Sequence, residues 1–135
     1  MNYWLVKSEP EAYSWEDFVK LGRDHWDGVR NYQARNNMQA MKEDDWVLFY
    51  HSGKAREVVG VSKVVRESYQ DPTTADERWV VVDLVPVRKL TQPVSLKQIK
   101  ADARLQAIAL IKQSRLSVVP LTKEEYEIIL GMGEG

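Results

Sequence analysis

Side chains that can recognise a nucleic-acid base are concentrated in one short stretch, WDGVRNYQARNN. Guanidinium and amide groups read base edges, and Trp or Tyr rings offer faces on which bases stack. The side chains with this chemistry are Trp26, Arg30, Asn31, Tyr32, Gln33, Arg35, Asn36 and Asn37. A plainer interpretation is a polar helix start, with Asn31 as its cap and Trp26 in the core. That interpretation does not explain why Arg30, Gln33 and Arg35 cluster there.

A second polar group follows the first apolar run of the chain. Residues 3–6 are predicted to form a buried strand, and Lys7, Ser8 and Glu9 come directly after it. A base, a hydroxyl and an acid at one strand end are either solvated separately or converge on a ligand. Each group taken alone favours the first alternative.

Residues typical of catalytic or metal sites are sparse. His25 and His51 are the only histidines, and neither has the H-E-x-x-H spacing of a zinc site. Ser8 lacks the glycine-flanked setting of a nucleophile elbow, and the scattered glycines form no phosphate-binding loop. The sequence therefore predicts a binding module and not an enzyme, with no cofactor and no metal.

Composition narrows the class of protein. A length of 135 residues suits one domain, residues 1–135. The formal net charge of −1 argues against a broad phosphate-binding surface but allows a small local one. The apolar runs fall far short of a membrane span, Cys is absent, and the N-terminus lacks a signal-peptide pattern. We therefore expect a cytoplasmic protein, bacterial or else nuclear in a eukaryote, that acts as a monomer without contact to a membrane.

The candidate residues must be positioned by strands that mostly follow one another without intervening helices. Strands are predicted at 2–7, 45–51, 57–69, 78–90 and 116–121. Helices are predicted at 14–21, 31–41, 96–99, 102–112 and from 122 onward. This order favours an α+β fold with a curved, largely antiparallel sheet or a small barrel.

Individual residues sharpen this prediction. Ser14 and Thr122 are expected to cap their helices, and Val19 is expected to join Trp15 and Phe18 on a buried helix face. Gly60 is expected to mark a bend or a close approach, and Pro86 an edge or a bulge. The tryptophans assigned to the core are Trp4, Trp46 and Trp79.

Several longer motifs resemble the EVE domain family. They are NYWLVKSEP, WDGVRNYQARNNMQAM, VLFYHS followed by VVGVSKV, then YQDPT and RLSVVPL. They cover nearly the whole chain in the family's order. One departure is KEDDW, where the family usually has a glycine and Asp44 is expected to affect only turn geometry. The resemblance implies a PUA-like fold, that is, a curved, mostly antiparallel β-barrel with flanking helices, which is related to the YTH and ASCH groups.

The resemblance further implies a reader of a modified base, with 5-methylcytosine or 5-hydroxymethylcytosine in DNA favoured over RNA. Such a base must leave the stack, which costs a few kcal/mol, and an aromatic face and edge hydrogen bonds offset that cost. Burying one methyl group adds only about 0.8 kcal/mol, so the methyl alone discriminates about fourfold. A hydroxyl on the modification can be read more strongly through a hydrogen bond.

With such a pocket at the first strand's end, each candidate has an expected role. Ser8 donates or accepts at a base edge, Glu9 accepts from an exocyclic amine, and Lys7 meets a phosphate. Trp26 is the expected stacking wall.

The remaining candidates surround this centre. Arg30 and Asn31 are expected to contact the base edge and the backbone. Tyr50, His51 and Ser52 are expected to close the other side of the pocket. Two alternatives are equally good: Tyr50 packs in the core, and His51 is a strand-end histidine whose hydrogen bonds are formed within the protein. A small basic rim is expected from Lys7, Arg30, Arg35 and Lys54.

Two other classes of function stay open from the sequence. One is an ASCH-type enzyme acting on RNA or DNA, in which Glu9 and Lys7 do acid–base work. The other is a module that binds a peptide or a small metabolite. Turnover distinguishes the first from a reader, which releases its ligand unchanged.

Overall fold

The fold is built on one sheet of six strands, as a computed structural model that describes residues 1–134 shows. The strands are β1 (Tyr3–Ser8), β2 (Asp24–His25), β3 (Trp46–His51), β4 (Glu57–Gln70), β5 (Val80–Ser95) and β6 (Val118–Leu121). The helices are α1 (Trp15–Leu21), α2 (Tyr32–Ala40), α3 (Leu96–Ala101), α4 (Ala109–Lys112) and α5 (Lys123–Glu134). None of these helices is long and apolar enough to cross a membrane.

The strand order is β2-β5-β4-β3-β1-β6, and only β1 and β3 run parallel. Register shifts interrupt the β3–β4 and β4–β5 ladders, as expected where long strands bend. Within residues 1–134 no ladder joins β2 to β6, so the sheet stays open. The prediction of an α+β fold with a mostly antiparallel sheet is confirmed.

The core follows the apolar positions of the central strands. Leu5, Val6, Leu48 and Phe49 are fully buried. A side chain at Gly60 would place its Cβ 2.6 Å from the Trp15 ring, so only glycine lets this aromatic ring lie against β4. The predicted close approach at Gly60 is confirmed.

Local capping patterns also behave as predicted. The Ser14 side chain accepts from the Asp17 N–H, while the Asp17 carboxylate accepts from the Ser14 N–H, which completes a capping box. Thr122 and Glu125 form the same reciprocal pair at the start of α5. Val19, however, is 50% exposed, so its assignment to the buried face of α1 was wrong.

The helix predicted over 102–112 is broken in two. Ala103–Leu105 form a single 3-10 turn, and α4 begins only at Ala109. Ile108 between them has an extended backbone, with ψ of 136°. On one continuous helix Leu110 would point away from Leu105 and Ile108, whereas the break allows all three to be buried.

The turn before β3 contains the residue that departs from the family pattern. Asp44 has a φ of 76°, in the left-handed region that glycine adopts without strain. The next residue, Asp45, is buried and accepts hydrogen bonds from Asn2 N, Trp4 Nε1 and Lys42 N. Through these hydrogen bonds Asp45 joins the turn to the start of β1. The candidate residues Lys7, Ser8 and Glu9 lie at the opposite end of the same strand.

Candidate functional site

The polar residues of the first strand lie where β1 and β3 end side by side. Because the two strands are parallel, Lys7 is opposite Tyr50 and Ser8 is opposite His51. The Ser52 N–H donates to the Ser8 carbonyl at 2.9 Å, which continues the pairing past both strand ends. The chain then turns, and the Glu9 carbonyl accepts from the N–H groups of Ala12 and Tyr13.

This turn encloses a cavity that we call the strand-end pocket. Its volume is about 360 Å³, within the range of small-molecule sites. Its lining residues are Lys7, Ser8, Glu9, Tyr13, Asp24, His25, Trp26 and Asp27. The expected meeting of Lys7, Ser8, Glu9 and Trp26 around one cavity therefore occurs.

Hydrogen-bond acceptors dominate the polar lining of the strand-end pocket. Glu9, Asp24 and Asp27 contribute carboxylates. The Ser8 hydroxyl donates to the Tyr13 carbonyl at 2.5 Å, so its proton is engaged and its lone pairs remain. Such a lining suits a ligand edge that carries N–H donors, and it repels a phosphate.

The side-chain hydroxyl of Tyr13 is buried beside the strand-end pocket. Its Oη is buried and forms no hydrogen bond within residues 1–134. Burial raises the pKa of Tyr13, and the Asp24 carboxylate, towards which the hydroxyl can donate without reaching good hydrogen-bond geometry, raises it further, so the phenol keeps its proton. A buried hydroxyl without a partner is costly, and a ligand in the strand-end pocket can remove that cost.

Trp26 forms part of the floor of the pocket. Its side chain is only 8% exposed and packs edge-on against the rings of Phe18 and Phe49, with centroid distances of 6.4 and 5.6 Å. The backbone N–H of Trp26 donates to the Val82 carbonyl. Trp26 is thus a core residue whose pocket side is small. Its stacking role stays a prediction.

Lys7 is less free than a rim lysine. Its ammonium donates to the Ser114 carbonyl at 2.8 Å and lies 5.9 Å from the centre of the Tyr50 ring. Burial lowers the pKa of Lys7. One donor position is therefore committed to the fold, and the others remain available to a ligand.

Tyr50 and His51 take the plainer of their two expected roles. Tyr50 is buried in the core, and burial raises its pKa. His51 Nε2 accepts from the backbone N–H of Trp15 at 3.0 Å, and burial lowers the pKa of His51, which favours the neutral ring. Neither residue lines the strand-end pocket.

Arg30 lies outside the strand-end pocket, contrary to the expected base contact. Its Nη1 donates to the Asp71 carboxylate at 3.0 Å, and its guanidinium lies 5.6 Å from the Trp79 ring centre. Asp71 also accepts from Gly28 N and from Thr73. Burial acts to raise the pKa of Asp71, but these hydrogen bonds from Thr73, Arg30 and Gly28 lower it to about 2.

Asn31 and Arg35 are likewise not brought to the strand-end pocket. Asn31 is the N-cap of α2, where its side chain accepts from the Ala34 N–H at 2.9 Å. Arg35 donates to the Asn36 side chain and the Arg78 carbonyl. The plainer interpretation of a capped helix start therefore accounts for Asn31, whereas the Arg35 guanidinium lies on the surface, 5.1 Å from the centre of the Tyr32 ring.

Ser52 and Lys54 line a second depression, which we call the linking cleft. Its lining residues are Glu9, Pro10, Glu11, Ser52, Gly53, Lys54 and Ala55. Glu9 belongs to both cavities, and its Oε1 lies 3.5 Å from the position that a Cβ on Gly53 would occupy. Ser52 thus lies beyond Glu9, and does not close the strand-end pocket itself.

Half of the lining was not predicted, namely Tyr13, Asp24, His25 and Asp27. Asp24 and His25 form β2, which has only two residues and pairs with Leu84 and Asp83 of β5. The available signal was the sequence DHWD, in which acids and a histidine surround the tryptophan. This sequence faces the pocket only because Asp24 and His25 pair with β5, about sixty residues later in the chain.

A family model described as the EVE domain matches residues 2–132. The chain belongs to the EVE domain family. A protein from Agrobacterium tumefaciens has a crystal structure with a TM-score of 0.96 and 48% identity, over 98% of this chain and 93% of that chain. Thymocyte nuclear protein 1 of Mus musculus is 37% identical, over 98% of this chain and 74% of the mouse protein.

A further solved structure, of the human THYN1 protein, contains DNA with 5-methylcytosine. It is similar to this EVE domain with a TM-score of 0.92 and 33% identity, covering 100% of this chain and 99% of that chain. This likeness confirms the PUA-like architecture expected from the sequence.

Proposed function

We propose that this EVE domain is a nucleic-acid-binding module that reads a modified cytosine in DNA. The observation that carries the proposal is the likeness to the human THYN1 protein, whose structure contains 5-methylcytosine DNA, at 33% identity over the whole chain. In this proposal the base leaves the stack and enters the strand-end pocket, as base-flipping proteins require.

The chemistry of the strand-end pocket supports a cytosine. Cytosine presents an N4 amine as donor and N3 and O2 as acceptors on its Watson–Crick edge. Glu9 and Asp24 are carboxylates that can accept from the amine, and Glu or Asp pairing with cytosine N4 is an established mode of readout. The unpartnered Tyr13 hydroxyl and the remaining Lys7 hydrogens are donors for N3 or O2.

Two acceptors and two donors therefore have assigned roles, and two further candidates support them. Ser8 contributes lone pairs at the same edge, because its proton is held by the Tyr13 carbonyl. Trp26 contributes the apolar floor. The proposal is a binding one, in which the base is released unchanged.

The test is a binding titration with DNA oligonucleotides that differ only at one cytosine. We expect tighter binding of 5-methylcytosine than of cytosine by about fourfold, and a larger preference where the modification carries a hydroxyl. Equal affinity for all three bases would overturn the proposal. The same sequence as RNA measures the preference for DNA, and mass spectrometry of the recovered oligonucleotide checks that no base has been converted.

A further inference from the structure

A groove of about 400 Å³ lies beside the linking cleft, where the β3–β4 loop meets the start of α3. We call it the basic groove. Its lining residues are Lys54, Ala55, Arg56, Ser95, Leu96, Lys97 and Lys100. Four of these seven side chains are cationic and none is acidic. A protein of net charge −1 thus contains one strongly positive local surface.

The cations of the basic groove are not neutralised by the protein. Lys54, Arg56, Lys97 and Lys100 are exposed, and in the described part of the chain none of them is within 4.0 Å of a carboxylate oxygen. By contrast, Arg23, Arg30, Arg78, Arg88 and Arg104 each pair with an acid. Unpaired cations gathered in a concave surface favour an anionic ligand.

The backbone at Arg56 is held in an unfavourable conformation. Arg56 has a φ of 45°, and the only other non-glycine residue with positive φ is Asp44 among residues 1–134. The Arg56 carbonyl accepts from the Leu96 N–H at 2.9 Å, which fixes the loop to the start of α3. Non-glycine residues in this region persist where the surroundings impose them, and they are frequent at binding sites.

The basic groove neighbours the strand-end pocket through residues that line the linking cleft between them. It shares Lys54 and Ala55 with the linking cleft, and the linking cleft shares Glu9 with the strand-end pocket. The distance between the two sites follows from the strand pairing. Ser8 pairs with His51, His51 with Glu57, and Glu57 with Ser95. Three strand spacings of about 4.8 Å separate the ends of β1 and β5 by roughly 14 Å.

We propose that the basic groove binds the phosphodiester backbone of the DNA strand whose base occupies the strand-end pocket. The inference rests on the proposed function for the identity of that base. The acidic pocket receives the neutral base, while the phosphates bind in the basic groove at Arg56, Lys97 and Lys100. Lys54, which lines both the basic groove and the linking cleft, marks the side of the groove that faces the pocket. Lys97 and Lys100 are three residues apart on α3, so their side chains project from the same side of the helix.

The experiment compares the double variant Lys97→Ala/Lys100→Ala with the control Lys42→Ala/Lys123→Ala. Both variants lose two positive charges, but Lys42 and Lys123 lie at the opposite end of the sheet, near the start of β3 and the end of β6. Affinity is measured by fluorescence anisotropy for one oligonucleotide with cytosine and one with 5-methylcytosine, between about 50 and 200 mM salt. Thermal melting checks that both variants are folded.

If the basic groove binds phosphates, the groove variant binds both oligonucleotides roughly tenfold more weakly at low salt. Its slope of log K against log salt flattens by about 1.4 to 1.8, because each lost phosphate contact contributes about 0.7 to 0.9. The ratio between the two oligonucleotides stays the same, and the control behaves like wild type.

Other outcomes separate this inference from the proposed function. A groove variant with the wild-type slope overturns the inference, even when the preference for 5-methylcytosine persists. A groove variant that loses affinity and slope supports the inference, even when the wild type shows no preference and the proposed function fails. An equal loss in the control variant also overturns the inference, because the effect would then follow total charge. A wild type that binds neither oligonucleotide overturns both.

Discussion

The strand-end pocket and the basic groove share one end of the sheet but have opposite electrostatic character. The pocket is surrounded by Glu9, Asp24 and Asp27, whereas the groove is lined by four cations without an acid. The pocket has a core tryptophan as its floor, while the groove lies over a surface loop and a short helix. A net charge near zero can therefore be the sum of two local surfaces with separate functions.

The contrast also concerns how each region is held. Pocket residues are committed to the fold: Ser8 to the Tyr13 carbonyl, Lys7 to the Ser114 carbonyl, and Trp26 to a cluster of aromatic rings. The four cationic side chains of the groove are exposed and form no ion pairs in the described residues. Substitutions in the pocket should therefore affect folding and base identity, and those in the groove only backbone affinity.

The largest expected effect is that of Trp26→Ala on stability. Removing a buried tryptophan leaves a cavity between Phe18 and Phe49, and we expect a loss of about 3–5 kcal/mol in the free energy of unfolding. Urea denaturation measures it, and Trp26→Phe serves as the control with a smaller loss. Should Trp26→Ala keep wild-type stability and instead bind all bases tenfold to a hundredfold more weakly, Trp26 would be the open stacking wall first expected.

The next effect concerns Asp71, which holds Arg30 away from both regions. The pKa of about 2, against an ordinary value of 3.8, means that the folded state favours the charged carboxylate. This stabilisation is complete above the unfolded pKa and is lost as the pH falls from about 4 to 2. We expect Asp71→Asn to cost about 2 kcal/mol at pH 7 and progressively less toward pH 2.

Denaturation of wild type and Asp71→Asn at several pH values checks this prediction. At neutral pH the salt slope of DNA binding should be the same for both proteins, since Arg30 contributes to neither region. A steeper slope in Asp71→Asn would mean that the freed Arg30 reaches a phosphate, and Arg30 would then belong to the basic rim.

The smallest effect is that of Glu9→Gln on base preference. The change keeps the shape of the side chain but replaces one acceptor oxygen with a donor amide. We expect cytosine-type bases to bind roughly tenfold more weakly, in line with about 1–3 kcal/mol for a specific edge contact. The salt slope should not change, which distinguishes this variant from the groove variant.

Glu11→Gln is the matched control, because Glu11 lies two residues away and lines only the linking cleft. It should keep the wild-type preference between bases. Equal effects of Glu9→Gln and Glu11→Gln would show that total negative charge matters, and the assignment of Glu9 to the base edge would be wrong.

The sequence predicted features that depend on residues close together in the chain. The Ser14–Asp17 and Thr122–Glu125 capping boxes each span four residues, and the central strands follow from runs such as WVLFYH. The expected effect of Asp44 on turn geometry is likewise local, and the structure gives this residue a φ of 76°. These elements need little information from the rest of the fold.

The site residues whose surroundings could not be predicted depend on long-range pairing. The sequence around Arg30 predicts a base contact, but in the structure its guanidinium donates a hydrogen bond to Asp71, which is 41 residues later in the chain. The pocket face of DHWD depends on the pairing of β2 with β5. Of the four cations of the basic groove, only Lys54 was expected in a basic rim, because the loop and α3 that supply the others are brought together only by the β4–β5 pairing.

The position of β1 has a consequence for how the molecule assembles. In the sheet β1 lies between β3 and β6, and both of these partners come later in the chain. The pairing of Leu5 with Val119 shows how far apart in sequence the paired residues of β1 and β6 are. Contacts this distant in sequence slow folding, because a long loop must close before they form. Until β6 arrives during synthesis, one side of β1 is an unpaired apolar edge, which exposes the nascent chain to aggregation.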